Sequence, residues 1–256
     1  MVNTDTKVRT LWRVVVVGGH TRSIGKTQLV CDIIAAFPKT DWIAGKITQY
    51  GHGVCAQNGE NCDCAPTEHV CALDWESRSD TGTDSARFLA AGAKRSFWLR
   101  TKQGYLAEGM PLLRQALEEV ARGPSASLRV SAWQFDSAQG KRVARKAGEK
   151  EPSEMAVILE SNSLMQFLKP SLYFAVIDPQ RDDFKQSAQI ALDRAHALVL
   201  RGAPGGDSPP APLWMKLPTK LLQEKPSVLQ REGQPLPSPL EVLVHRMLDA
   251  PAHVLL

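Results

Sequence analysis

No apolar run in this 256-residue chain approaches the roughly 20 residues that span a bilayer. The opening stretch MVNTDTKVRTLWRVVVV also lacks a signal-peptide layout, because its apolar run is short and leads straight into a glycine-rich loop. Both absences lead to the expectation of a cytoplasmic protein with no membrane partner. An excess of one charge is missing too, since the net value is only +4. The basic stretch GKRVARKAGEK (140–150) has no interleaved aromatics and sits among Gly, Ser and Ala. It reads as a solvated loop, and nucleic acid is not expected as a partner. No internal repeat is visible. What is present is ordinary for a globular protein: 43% hydrophobic and 23% charged residues, enough to bury one good core.

Apolar, β-rich runs alternate with helical patterns. Strands are expected at 12–18, 42–48, 95–100, 155–160, 172–177 and 196–200, and helices at 26–37, 84–92, 107–122, 163–168, 183–194 and 238–248. Several of the strands are unbroken Val/Ile/Leu runs, as in strands buried on both faces of a parallel sheet. The expected class is therefore α/β, a mostly parallel sheet flanked by helices. Two segments break the rhythm and read as insertions: a cysteine-rich one at about 50–80, and a Gly/Ser/Ala-rich one at about 123–153. After Arg201, GAPGGDSPPAP reads as a linker. The expected organisation is one domain over 1–202 and a C-terminal extension over 203–256.

Residues 14–30 read VVVVGGHTRSIGKTQLV. Valines enter a glycine-rich turn, and Gly-Lys-Thr opens an apolar helix. That order suits phosphate binding: backbone amides curl around the anion, and a helix aims its positive end at it. The candidate contacts are Gly19, His20, Thr21, Arg22, Ser23, Ile24, Gly25, Lys26, Thr27 and Gln28. Lys26 would neutralise phosphate charge, and the Thr27 hydroxyl would ligate Mg²⁺. Five residues separate Gly19 from Gly25, one more than in the common form.

With that spacing, GHTRSIGKT (19–27) resembles the phosphate loop of dethiobiotin synthetase and of the cobyric acid synthase family. DSARFLAAGA (84–93) is similar to a stretch of the molybdopterin-guanine dinucleotide biosynthesis adaptor family, in which a Lys/His-bearing strand end precedes it, here Lys46 and His52. The likeness covers roughly residues 12–100; the loop length and the cysteine insertion depart from that family. It implies a P-loop NTPase-like three-layer sandwich, with Asp84 as a metal or water ligand and Arg87 as a phosphate or substrate contact. An N-cap and an exposed helix charge are the alternative reading of those two residues. Glu160, ending the strand MAVILE, stands where both families hold Mg²⁺. Asp178, in a turn-forming Asp-Pro, is a weaker candidate. Lys26, Asp84 and Glu160 form the expected catalytic set.

The resemblance thus implies a nucleotide partner, Mg²⁺ with ATP or GTP, and an NTPase or adaptor working with a cofactor-assembly protein. The alternative is an ATP-dependent ligase or kinase with a small-molecule substrate. A homodimer is compatible with either. The Asn-Lys-x-Asp guanine signature is missing, since Arg201-Gly202 follows the late strand.

Four of the five cysteines, Cys55, Cys62, Cys64 and Cys71, fall in one short polar stretch with His52 and His69, while Cys31 sits in the first helix as core. The stretch has little apolar surface to order it, and thiolates with imidazoles suit Zn²⁺, or an Fe–S cluster if all four cysteines ligate. Free or redox-active thiols are the alternative. The expected outcome is about one zinc ion or one cluster per purified chain. Elemental analysis and absorbance of anaerobically prepared protein measure it, and Cys62→Ser/Cys64→Ser should lose the metal.

Overall fold

Val14, Val15, Val16 and Val17 are all buried, and they divide alternately between two cores. Successive side chains of a strand point to opposite faces, so an uninterrupted valine run needs cover on both. The computed structural model describes residues 11–51, 70–122, 155–179, 181, 183–201 and 219–254. The valines lie in β1 (Leu11–Gly19). In chain order there follow α1 (Lys26–Ala36), β2 (Asp41–Tyr50), β3 (Cys71–Trp75), α2 (Asp84–Ala90), β4 (Arg95–Lys102), α3 (Leu106–Arg122) and β5 (Met155–Glu160). A 3₁₀ turn at Ser163–Gln166 leads to β6 (Leu172–Ile177), α4 (Gln186–Ala191), β7 (Ala197–Arg201), α5 (Thr219–Glu224), β8 (Ser227–Gln230), α6 (Ser238–Asp249) and β9 (His253–Val254).

The sheet runs β3-β4-β2-β5-β1-β6-β7-β8. Every pairing along that path is parallel except β3 with β4, and β9 pairs antiparallel with Leu11 and Trp12 of β1. On one face, α1, α2 and α6 bury Leu29, Ile33, Phe88 and Leu240 with Val15 and Val17. On the other, α3 contributes Leu106, Met110, Leu113 and Leu117, a stripe at helical spacing, beside Val14 and Val16. The expected α/β class, with a mostly parallel sheet between helices, is what the chain forms. Among the described residues no helix is long and apolar enough to cross a membrane.

Residues 203–256, expected as an extension, supply elements to this same architecture. β8 pairs with β7 from Leu198↔Ser227 to Arg201↔Gln230, and α6 buries Leu240, Val244, Met247 and Leu248 in the core that holds α1. SVLQ is four residues between Pro226 and a turn, too short for its own pattern to announce a strand. Its partner strand makes it one. The segments 52–69 and 123–154, which hold most of the two expected insertions, lie outside the described residues.

Chain connections leave β1 in opposite directions. The crossover through α1 skips β5 to reach β2, whereas β6 and β7 build the sheet on the other side. Ligands of open α/β sheets bind beyond the carboxyl ends of the strands at such a switch point. Leu240 is fully buried, so Leu240→Ala should cost roughly 2–5 kcal/mol if α6 is part of the core. Urea unfolding measures this, and an unchanged midpoint would detach α6 from it.

Candidate functional site

The β1–α1 loop is held at nearly every residue. Asn162, just past β5, accepts from the Gly19 amide at 2.6 Å and donates to the Gly19 carbonyl at 2.5 Å. The His20 amide donates to Val176 O at 3.2 Å, and Lys185 N donates to His20 O at 2.9 Å. The Thr21 hydroxyl donates to Asp183, and Arg181 donates to Arg22 O at 3.0 Å. From the end of β7, Arg201 reaches Ile24 O at 3.0 Å and Gly25 O at 2.8 Å. Groups at or beyond the carboxyl ends of β5, β6 and β7 thus clamp a loop that precedes them by more than a hundred residues.

Within the loop, Ser23 (φ 51°) and Gly25 (φ 84°) take left-handed conformations, which turn the chain sharply into α1. A Cβ on Gly25 would also collide with the Arg201 guanidinium. No side chain caps the first turn of α1 and no acidic residue lies in it, so its amides and positive dipole end face the cleft. Lys26 donates to Thr21 O at 2.6 Å. Burial pushes its amine down to about 8; Glu160 opposes that shift, and Lys46 and Lys185 add to it. Burial of this ammonium thus outweighs the attraction of Glu160 and Asp84.

The expected carboxylates meet beside it. Lys46 of β2 and Glu160 of β5 are register partners on adjacent parallel strands, and both point to the α1 face. Lys46 Nζ lies 2.5 Å from Glu160 Oε1 and 2.7 Å from Asp84 Oδ2. Thr27 Oγ1 donates to Glu160 Oε2 at 2.8 Å, and its hydroxyl also bonds Asp84. Burial disfavours the Asp84 carboxylate, but Lys46, Thr27 and Arg87 together outweigh burial and hold it below the usual range. The N-cap of α2 is Thr83, which accepts from Ala86 N at 3.2 Å, and this leaves Asp84 to the cluster. Arg87 donates to Gln28 Oε1 at 2.8 Å; Gln28 in turn donates to Asp32 at 2.8 Å, and Gln230 of β8 donates to Asp32 at 3.2 Å. That chain ties α2 and β8 to the first two turns of α1.

A cleft of about 1470 Å³ opens over these groups, lined by Arg22 to Thr27 on one wall and by Lys46, Asp84 and Glu160 on another. Not every expected loop contact faces it. Gly19, His20 and Thr21 lie below its lining, and the His20 imidazole, 1% exposed, packs against Phe184 with ring centroids 5.4 Å apart. Ile24 is buried in the core and offers only its backbone. Asp178 lines the cleft, and its amide donates to His20 Nδ1 at 3.4 Å. Of the cysteines, Cys71 opens β3 with its thiol 3.7 Å from Glu108 O, while Cys55, Cys62 and Cys64 lie outside the described residues. Cys31 is buried, and burial raises its thiol to about 11, the behaviour of a core residue.

Asn162, Arg181, Asp183, Lys185 and Arg201 escaped the sequence reading as loop-holding groups. Arg201 ends β7, Asn162 lies just past β5, and Arg181, Asp183 and Lys185 follow β6; position after a strand is the one local signal they carry. No protein-family model matches the chain, and no curated protein matches it.

The Lys26 shift has a consequence for stability. An unfolded lysine titrates near 10.5 and the folded Lys26 near 8, so burial of the charge costs stability fully below pH 8 and not at all above 10.5. Lys26→Met should therefore raise Tm by about 2 °C or more at pH 7. The gain should shrink between pH 8 and 10. Thermal unfolding across that range measures it.

Proposed function

We propose that the chain binds a nucleoside triphosphate with Mg²⁺ and acts as an NTPase or adaptor in the assembly of a cofactor or metallocentre. The observation that carries this reading is a single junction: an uncapped helix N-terminus, Lys26 and the Thr27 hydroxyl all lie beside the Glu160 carboxylate. First-turn amides and the Lys26 ammonium bind the phosphate oxygens. Arg201 and Asn162 keep the loop open in the shape those amides need.

Glu160, Asp84 and Thr27 offer two carboxylates and a hydroxyl, a hard-oxygen set that suits Mg²⁺. Lys46, a cation standing between the two carboxylates, supports the fit. Bound there, Mg²⁺ would neutralise charge on the phosphates. The likeness of residues 84–93 to the molybdopterin-guanine dinucleotide adaptor family and the metal-ligand-rich stretch at 52–71 favour an assembly role.

A second reading, an ATP-dependent ligase or kinase, draws on the length of the cleft. It runs past the loop to Thr48, Gln49 and Gly104, and its 1470 Å³ exceeds the roughly 300–1000 Å³ of common ligand pockets. That leaves space for a second, acceptor molecule.

Titration with fluorescent ATP and GTP analogues in Mg²⁺ tests the reading. Lys26→Ala should weaken binding at least tenfold, while Glu160→Gln should keep most of the affinity and lose Mg²⁺-dependent phosphate release. Equal affinity of Lys26→Ala and the parent protein would overturn it.

A further inference from the structure

Lys46 has no obvious reason to be where it is. A side chain that only had to cover the sheet at the end of β2 would be apolar, like Trp42 and Ala44 before it on the same face. Instead its ammonium stands between two carboxylates, one from the neighbouring strand and one from the first turn of α2. Both carboxylates also touch the Thr27 hydroxyl. Glu160 is only 2% exposed, so its charge has little water to screen it.

We propose that Lys46 is a resident counter-cation: its ammonium occupies the charge position of the divalent metal when the site is empty, and metal entry requires its displacement. This rests on the reading of Glu160, Asp84 and Thr27 as the metal's donors. A mobile ammonium on a four-carbon stem suits the task better than a guanidinium fork would. The arrangement offsets part of the charge of two carboxylates at the base of an open cleft. It also sets a threshold: a metal arriving alone must break two ion pairs and leave Lys46 without an anion, whereas a metal arriving with phosphate brings the anion that Lys46 can meet. Metal without nucleotide is thereby held off by the protein itself.

The other charged groups facing this cluster are Lys26 from α1, Arg87 from α2 and Lys185 ahead of α4. All three are cationic, so removing Lys46 does not leave the carboxylates in a wholly acidic surrounding.

Mn²⁺ binding without nucleotide, read from the EPR signal of free Mn²⁺, tests the proposal. Lys46→Met and Lys46→Gln should each bind Mn²⁺ at least tenfold more tightly than the parent chain. Adding Glu160→Gln to Lys46→Met should abolish the gain, which places it at this cluster rather than at the cysteines. Unchanged or weaker Mn²⁺ binding in both single variants would overturn the proposal. Should both variants fail to fold without metal, recovery of the folded state by Mn²⁺ but not by NaCl of equal ionic strength supports it, and failure in both salts overturns it. Nucleotide titration of the parent chain runs in parallel. If the parent binds nucleotide but the variants gain no Mn²⁺ affinity, only the counter-cation role falls. If the parent binds no nucleotide while the variants do gain Mn²⁺, the functional reading falls and the counter-cation role stands.

Discussion

The ion pair between Lys46 and Glu160 depends on register. The two residues face each other across β2 and β5 only because Asp41 aligns with Met155 at the other end of the pairing. A slip of one residue would send Glu160 into the opposite core and place Leu159 beneath the cleft. The buried apolar residues of β5, Ala156, Val157, Ile158 and Leu159, prevent that slip, because each must find its own apolar face. Packing along the strand therefore fixes the chemistry at its end. Thr27 and Asp84 then need only the first turns of α1 and α2 to lie against that face, which Leu29 and Phe88 secure by burial.

The loop between β1 and α1 shows the complementary case, geometry imposed from outside. Its own residues include a left-handed Gly25, which glycine adopts freely, and a left-handed Ser23, which local preference disfavours. Asn162, Arg181, Lys185 and Arg201 supply the restraint through the loop's backbone carbonyls and amides, and Asp183 adds a bond to one loop side chain, Thr21. A loop held in this way keeps its amides turned toward the cleft without a ligand to organise them, which lowers the ordering cost of any anion that binds there.

How much of this the sequence announced follows from where each signal resides. Unbroken valines in β1 and the run MAVILE in β5 carry their burial on their face, and the order Gly-Lys-Thr-helix marks the loop within a dozen residues. Thr27 and Glu160 were readable because each stands at an element's end. Short strands were not: CALDW and SVLQ become β3 and β8 only through their neighbours, β4 and β7. His20 was read as a ligand contact, yet its ring is turned inward against Phe184, a matter of rotamer and tertiary packing that no spacing encodes. The clamp residues are polar groups in connecting segments or, for Arg201, at the last position of a strand, and nothing local marks them until the sheet order brings them to one edge.

That sheet order also dictates a timetable. β1 is made first, but the strands beside it are β5 and β6, pairing Arg13 with Ala156 and Val15 with Leu172. During synthesis the central strand and its loop leave the ribosome long before either neighbour exists. The first partners available, β2 and β4, belong together and can pair in the meantime. Closing the long intervening chain costs entropy that rises only slowly with its length, so the segment between α3 and β5 can be long without penalising the finished fold much. The delay is a different matter, because non-local parallel pairing is slow and exposes apolar strands while it waits. A nascent chain of this protein therefore carries the valine run without its two flanking strands until β5 and β6 have been made.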